Sequence, residues 1–327
     1  MRAPPFWYQR AGVWAVLLSP LGVVYAAATR QRLARGQRQR MPVPVICVGN
    51  LTAGGTGKTP TVIALATRLA KRGWTPHAIT RGHGGALAGP VRVLPDRHDA
   101  GQVGDEALLL AAFLPVWVAK NRATGAEAAV KQGANVLLLD DGFQNARLYY
   151  DLSIVVVDAA RGFGNGRVIP AGPLREPIAR GLSRADLILS IGPQKAQQKF
   201  AQVWAHVVQG RHLTGALHPL PMGMSLKEMP VLAFAGIGHP QRFFSTLVGM
   251  GANVCAAHAL ADHQPLTQPL MARMARQAHA LGAQMVTTEK DAARLPPAWR
   301  GQVIAVPVRL ELDDWAVIDK RLNAILT

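Results

Sequence analysis

Val45-Ile46-Cys47-Val48-Gly49-Asn50-Leu51-Thr52-Ala53-Gly54-Gly55-Thr56-Gly57-Lys58-Thr59-Pro60 is the stretch that decides the fold. Its opening residues are an apolar, Val- and Ile-rich run, the pattern of a buried strand. A Gly-rich turn follows, after which Val62, Leu65, Ala66 and Leu69 recur at helical spacing. A strand, a Gly-rich loop and a helix with Gly57-Lys58-Thr59 at the junction form a phosphate-cradling loop. Glycines let successive backbone N–H groups turn towards phosphate oxygens. The helix N-terminus adds the positive end of its dipole. The nucleotide-binding residues are then Thr52, Ala53, Gly54, Gly55, Thr56, Gly57, Lys58 and Thr59, with Lys58 reaching the β/γ-phosphates and the Thr59 hydroxyl on Mg²⁺. The general pattern opens with Gly six residues before the lysine, and here Thr52 stands there. An ordinary strand-to-helix turn is the competing reading, which the Gly-Lys-Thr ending disfavours.

Working outward, strands are expected at Val45–Val48, His77–Thr80, Val91–Leu94, Val116–Ala119, Val136–Asp140, Ile154–Asp158 and Leu187–Ser190. Helices are expected at Lys58–Lys71, Asp105–Phe113 and Gly125–Gln132. Such alternation implies an α/β fold of the P-loop NTPase type: a mainly parallel sheet with helices on both faces. A polar, Pro-containing stretch near Gly210–Pro230 reads as a linker. A second α/β pattern follows, with strands Val231–Ala235, Val254–Ala257, Met285–Thr288 and Val303–Val308, and helices Pro240–Met250, Leu266–Leu281 and Trp315–Leu326. The expected organisation is an N-terminal membrane-associated segment over 1–40, a kinase-type unit over 41–222 and a smaller α/β unit over 223–327 that closes over the active site.

The chain carries a formal charge of +17. That suits nucleic acid, anionic membrane or phosphorylated ligands. No helix-turn-helix, zinc-finger or aromatic ribonucleoprotein motif is present, which disfavours nucleic acid. An uncharged stretch over 11–28 follows Phe6-Trp7-Tyr8 and precedes Arg30, Arg32, Arg35, Arg38 and Arg40. A spanning helix needs about 20 apolar residues, and Ser19-Pro20 and Gly22 interrupt this one. An interfacial anchor, with aromatics at headgroup level and arginines on anionic lipid, fits better. A helix packed on the protein's own core is the other reading. Cys47 and Cys255 lie in strand-like runs and read as small buried hydrophobes, with no disulfide or metal spacing.

Four further groups carry chemistry. Val136-Leu137-Leu138-Leu139-Asp140-Asp141-Gly142-Phe143-Gln144 is a buried strand ending in two carboxylates. Beside a phosphate loop, a carboxylate at such a strand end holds Mg²⁺ or its water; alone, Asp-Asp-Gly is good turn chemistry. Asp105 and Glu106 open a helix, where acids commonly serve the dipole; a kinase acting on a hydroxyl also needs a proton acceptor. Asp262-His263 lies in a loop of the second unit, and a carboxylate meeting a His across a cleft makes a base with an orienting partner. Arg175 and Glu176 sit in a rigid turn, either as a surface ion pair or serving phosphoryl charge and Mg²⁺.

Taken together these motifs resemble the tetraacyldisaccharide 4′-kinase family, the lipid A 4′-kinases of Gram-negative bacteria. The resemblance rests on Val48–Thr52, Gly54–Pro60, Thr80-Arg81-Gly82 with Gly84-Gly85, Gly104-Asp105-Glu106, Asp140–Gln144, Asp151-Leu152 to Val156-Val157-Asp158, Gly164-Asn165-Gly166 to Pro170–Pro177, Phe234–Gly238, Asp262-His263 and Thr287–Asp291. They span nearly the whole chain, and the family shares the Thr52 departure. The resemblance implies ATP- and Mg²⁺-dependent phosphorylation of the 4′-hydroxyl of a tetraacyldisaccharide 1-phosphate, giving lipid IVA. It also implies attachment to the anionic cytoplasmic face of the inner membrane, an acylated disaccharide 1-phosphate as partner, no nucleic acid and no obligate protein partner. Carried over by motif, Lys58 and Thr59 handle phosphates and Mg²⁺, Asp105 acts at the acceptor hydroxyl with His263, Arg175 meets phosphoryl charge, and Asp140, Asp141 and Glu176 serve the metal. His83, Asn145, Gln264 and Leu266 depart from the residues common in the family. The alternative class is a membrane-associated partitioning or targeting ATPase, whose loop carries a signature lysine where this chain has Ala53.

Overall fold

The structure, a computed structural model, describes residues 3–326, so the outermost ends of the expected 1–40 and 223–327 segments lie outside it. The strands are β1 Val45–Gly49, β2 Pro76–Thr80, β3 Val91–Arg92, β4 Val116–Val118, β5 Val136–Asp140, β6 Leu152–Asp158, β7 Leu187–Ile191, β8 His212–Pro219, β9 Pro230–Ala235, β10 Asn253–Ala259, β11 Gln284–Thr288, β12 Val303–Val306 and β13 Val308–Leu312. Nine form one sheet, ordered β13-β8-β7-β6-β1-β5-β2-β4-β3, and four form a second, ordered β10-β9-β11-β12. The large sheet is parallel from β8 to β4 and antiparallel only where β13 and β3 close its edges. The small sheet is parallel throughout.

β1 explains the arrangement. Its residues are buried on both faces, and they alternate between two cores. Ile46 and Val48 face the core that holds the Lys58–Lys71 helix through Val62, Leu65, Ala66 and Leu69. Val45 and Cys47 face the other, with Phe143, Phe163 and Phe200. A strand covered on both faces needs a continuous apolar run, which is what the sequence supplies. β1 lies between β5 and β6, with Val48 level with Asp140, so the phosphate-loop strand and the acidic strand end side by side.

Several expectations are corrected. The sequence 223–327 is not one unit: β13 pairs with β8 in the large sheet, and Ile318 and Leu322 of the Ala316–Ile325 helix pack into the large core. Asp319 fixes that helix through Arg68 and Arg72 of the Lys58–Lys71 helix. The reason is that Pro307 interrupts the apolar run read as one strand, and Val308–Leu312 then serves as the edge that β8 lacks. The stretch near 210–230 is only partly a linker, because His212–Pro219 is β8. Gln194–Val208, which the sequence reading left unassigned, is a helix whose Phe200 and Val208 are buried. β3 stops at Arg92, and the Leu94 N–H donates to His98 Nδ1 instead of a strand. Cys47 is buried as expected, but Cys255 is exposed, on the outward-facing rank of edge strand β10.

The N-terminus is two helices, Val13–Leu17 and Ser19–Arg35. Among the described residues no helix is long and apolar enough to cross a membrane. One side rests on the 164–172 loop, with Gly22 close to the Val168 carbonyl and the Trp7 indole N–H donating to the Pro170 carbonyl at 3.0 Å. The other side exposes Val13, Trp14, Leu17, Leu21, Val23 and Val24. The packed side matches the reading of a helix on the protein's own core, and the exposed apolar side is left uncovered by the rest of the chain.

Truncating Leu322 to Ala is expected to destabilise the phosphate-loop unit by about 2–5 kcal/mol, as for other buried leucines. Urea unfolding followed by tryptophan fluorescence measures this; a loss near zero would mean the C-terminal helix is not part of that core.

Candidate active site

The site forms where the carboxyl ends of β1 and β5 meet the small sheet's loops. Gly57 caps the Lys58–Lys71 helix with φ 100°, a left-handed conformation that glycine adopts without strain. Gly54 and Gly55 face open space, as a phosphate cradle requires. Asn50 closes the loop from beneath, its Nδ2 donating to the Gly54 carbonyl at 3.3 Å and to Thr56 Oγ1 at 3.4 Å. The loop is stapled to the 170–177 turn by backbone bonds, Ala53 N to Pro173 O at 2.8 Å and Arg175 N to Leu51 O at 2.7 Å. That staple places Arg175 beside the loop.

The acidic pair is split in role. Asp140 is fully buried, and neither of its oxygens has a hydrogen-bond partner. Burial, reinforced by Glu106, pushes its carboxyl well above the ordinary range. Asp141 is half-buried with φ 50° and turns outward. It meets Lys58 Nζ at 3.7 Å and Arg175 Nη1 at 3.1 and 3.2 Å. Burial alone would raise Asp141, but Lys58, Arg175 and Arg122 together hold it down at about 2. Arg122 donates to the Asp141 carbonyl at 2.8 Å.

A buried carboxylate with two orphaned oxygens, level with Val48 in the strand that leads into the phosphate loop, is a fitting donor for a hard cation. Mg²⁺ takes one or two carboxylates and completes its shell with phosphate oxygens and water. Among the described residues there is no cluster of three or more His, Cys, Asp or Glu that could hold a metal ion. Glu176, expected at the metal, is placed otherwise. Both its oxygens accept from Arg184 Nη2, at 2.7 and 2.6 Å, and one also accepts from Gln144 Nε2 at 3.1 Å. These bonds tie it to Arg184 and Gln144, and Gln144 in turn accepts from Arg175 at 3.1 Å.

The second half of the site comes from the small unit. Gly238 reaches the phosphate loop so closely that a Cβ there would sit 3.1 Å from Gly55 N. Beside it, His263 Nδ1 lies 3.0 and 2.9 Å from the two oxygens of Asp105. Asp105 is buried at the start of the Asp105–Ala111 helix and also accepts from the Glu106 N–H at 2.9 Å. Burial would raise the Asp105 carboxyl, yet the His263 hydrogen bond, Lys290 and Arg294 draw it below its usual value. His263 holds φ 58°, uncommon for a residue other than glycine, and its N–H donates to the Gly236 carbonyl at 3.2 Å. His83 packs edge-on against its ring, 5.5 Å between centroids.

Sequence reading missed Lys290, Arg294, Arg122, Arg184 and the Asp158–Arg242 pair that bridges the units at 2.9 Å. Thr287–Asp291 was singled out as a motif without a task. Its Thr288 caps the Glu289–Ala292 turn by accepting from the Asp291 N–H at 3.1 Å, and the fully buried Asp291 carboxylate accepts from the Gly236 N–H at 3.0 Å and pairs with Arg294. Lys290 reaches Glu106 at 3.1 Å. Arg122 carries no local signal; only its position after β4 brings it to Asp141.

Comparison with known proteins agrees with this geometry. The model of the family described as LpxK, tetraacyldisaccharide-1-P 4′-kinase, matches residues 14–327. This chain belongs to that family. Membership makes it a lipid disaccharide kinase and sets the partitioning-ATPase alternative aside. The tetraacyldisaccharide 4′-kinase of Jannaschia sp. is 62% identical over 326 residues, 100% of this chain and 99% of that one. That of Dinoroseobacter shibae is 58% identical over 329 residues, 99% of this chain and 98% of its own. The crystal structure of LpxK from Aquifex aeolicus, an "apo" form in complex with ATP, superposes with a TM-score of 0.74 at 26% identity, covering 96% of this chain and 99% of that one.

Asp291→Ala leaves Arg294 buried without its partner, which typically costs about 3–5 kcal/mol. Chemical denaturation should show that loss; a change under about 0.5 kcal/mol, the size of an ordinary surface substitution, would remove Asp291 as the organiser of this loop.

Proposed function

We propose that the chain transfers the γ-phosphoryl group of ATP to the 4′-hydroxyl of a tetraacylated glucosamine disaccharide 1-phosphate. The observation that carries the residue roles is the Asp105–His263 contact across the cleft, at the sheet edge that bears Lys58 and Asp140. Lys58 and the backbone N–H groups of 52–59 bind the phosphates. Arg175 and Lys58, now sharing Asp141, are the cations available to the transferring group. Thr59 and Asp140 are the residues that would hold Mg²⁺, which would supply charge neutralisation on the phosphates, while Asp141 is the counter-ion of Lys58 and Arg175. Glu176 supports through Gln144 and Arg175.

In the transfer, the sugar hydroxyl gives its proton to an oxygen of Asp105. The sugar oxygen forms a bond to the γ-phosphorus as the bond from that phosphorus to the β–γ bridging oxygen breaks. ADP leaves with the electron pair. The small unit covers the cleft through Gly238 and His263, excluding water that would otherwise accept the phosphoryl group.

The N-terminal helices serve the acyl chains and the bilayer. Their exposed apolar row and the arginines that follow suit an amphiphilic substrate held at the anionic cytoplasmic face of the inner membrane.

Asp105→Ala is expected to lower product formation by about 10²–10⁴-fold, the usual worth of general base catalysis, while the protein still folds and binds ATP. The assay follows bisphosphorylated lipid from ATP, Mg²⁺ and tetraacyldisaccharide 1-phosphate. Wild-type turnover in that variant would take Asp105 out of the reaction. For the membrane reading, Leu17, Leu21 and Val24 changed together to Ser should reduce sedimentation with anionic vesicles without altering the fold, each buried methylene being worth about 0.8 kcal/mol. Equal binding by the triple variant would refute the anchor.

A further inference from the structure

Lys290 stands in the small unit but reaches into the cleft. Its Nζ lies 3.3 Å from His263 Nε2, 3.1 Å from Glu106 Oε1 and 3.7 Å from Asp262 Oδ1. A lysine ammonium has three N–H donors and no acceptor. A ring nitrogen that meets it at hydrogen-bond distance therefore meets it with a lone pair. The ring hydrogen is left on Nδ1, where the two Asp105 oxygens stand ready to accept it at 3.0 and 2.9 Å. Lys290 and Asp105 thus select the same tautomer from opposite edges of the ring.

We propose that Lys290 is a positioning residue for the transfer, holding His263 neutral as its Nδ1–H tautomer so that Asp105 alone receives the hydroxyl proton. This rests on the Asp105–His263 reading above. Without Lys290, Nε2 is free to take a proton, and the imidazolium that results sits directly against Asp105. A carboxylate facing a full positive charge is a poorer proton acceptor. Glu106 serves the same end indirectly, because it anchors the ammonium from the helix that carries Asp105. The contact also ties the small unit to the large one at the reacting group, so the tautomer is fixed only when the cleft is covered.

The groups facing His263 are few. Asp105 approaches Nδ1, while Lys290 and, at 3.7 Å, Asp262 approach Nε2; the His83 ring lies edge-on, and Arg294 stands 4.0 Å from Asp105. The Asp105 hydrogen bond pushes His263 above its ordinary value, and burial and then the Lys290 charge push back. Burial would lower Lys290, but Glu106, Asp105 and Asp262 keep it above its usual value, so it stays charged. His263 is therefore neutral at high pH and gains its charge as pH falls. Removing Lys290 moves that gain to higher pH, which raises the acid limb of the kcat/KM profile.

The test uses the full chain in detergent. Lys290→Met is expected to move the acid limb up by about one pH unit, the usual effect of losing one close charge, and Lys290→Arg to restore the wild-type limb. In parallel, long-range proton–nitrogen NMR of histidine-labelled wild-type protein should show His263 in the Nδ1–H form. An Nε2–H form in the wild type overturns the proposal, even where Lys290→Met fails to fold. So does an unmoved acid limb in folded Lys290→Met. Asp105→Asn separates the two readings: if it turns over normally, the Asp105–His263 assignment itself fails. If Asp105→Asn is inactive and the Lys290→Met limb stays put, only the role of Lys290 fails.

Discussion

Asp140 is fully buried, level with the last residues of the phosphate-loop strand, and both its oxygens lack a hydrogen-bond partner. An ionised carboxylate in such a place is costly unless a cation or a proton accompanies it. Its neighbours do not supply one directly. Lys58 and Arg175 go to Asp141, and Arg122 donates to backbone carbonyls at this corner. The protein alone therefore leaves Asp140 raised in pKa, and a bound hard cation is the natural remedy. The two adjacent aspartates are split accordingly: on the proposed reading Asp140 faces inward for a metal, while Asp141 turns outward as the counter-ion of Lys58 and Arg175. Phosphates entering the loop would compete with Asp141 for the same two cations.

The small sheet completes what the large sheet cannot. A P-loop edge binds phosphates with its own backbone, but a hydroxyl acceptor needs a base on the far side. The fold brings His263 to Asp105 and Gly238 to Gly55, and on the proposed reading that pair is the base. His263 takes a left-handed backbone to do so. Such conformations persist only where surroundings over-determine them, and the surroundings here are the Gly236 carbonyl and Asp105. Asp291 fixes the Gly236 N–H from within, so the backbone around the histidine is set by a buried ion pair rather than by solvent-facing turns.

How much of this was legible in the sequence depended on how local each signal was. The phosphate loop, β5 with its two acids and the Lys58–Lys71 helix were readable because strand, turn and helix chemistry all fall within a few residues. Asp105 and His263 were readable only as a pair borrowed from family resemblance; nothing in a first-turn acid or a loop histidine declares that they meet. Lys290 was quoted as part of a motif but had no chemistry until the fold set it against the ring. The Arg184 and Gln144 partners of Glu176 were not readable, because a carboxylate in a charged turn looks alike whether it faces a metal or an arginine. β13 and the final helix were assigned to the wrong unit because edge pairing with β8 is a long-range choice, invisible to periodicity.

The positive charge is also not of one kind. Arg309 and Arg161 lie over Phe113 and Tyr8, and Arg68 and Arg184 lie over Trp315 and Phe143. These guanidinium groups are spent on packing and on internal carboxylates such as Asp319, Glu289 and Glu176. A net charge of +17 is therefore a poor guide to where an anion binds. What distinguishes the N-terminal arginines is that Arg30, Arg32 and Arg35 are exposed, and they follow an apolar row that is exposed as well. Charge next to uncovered apolar surface, rather than charge alone, is the physical signature of a site for an acylated phosphate or the lipid layer that carries it.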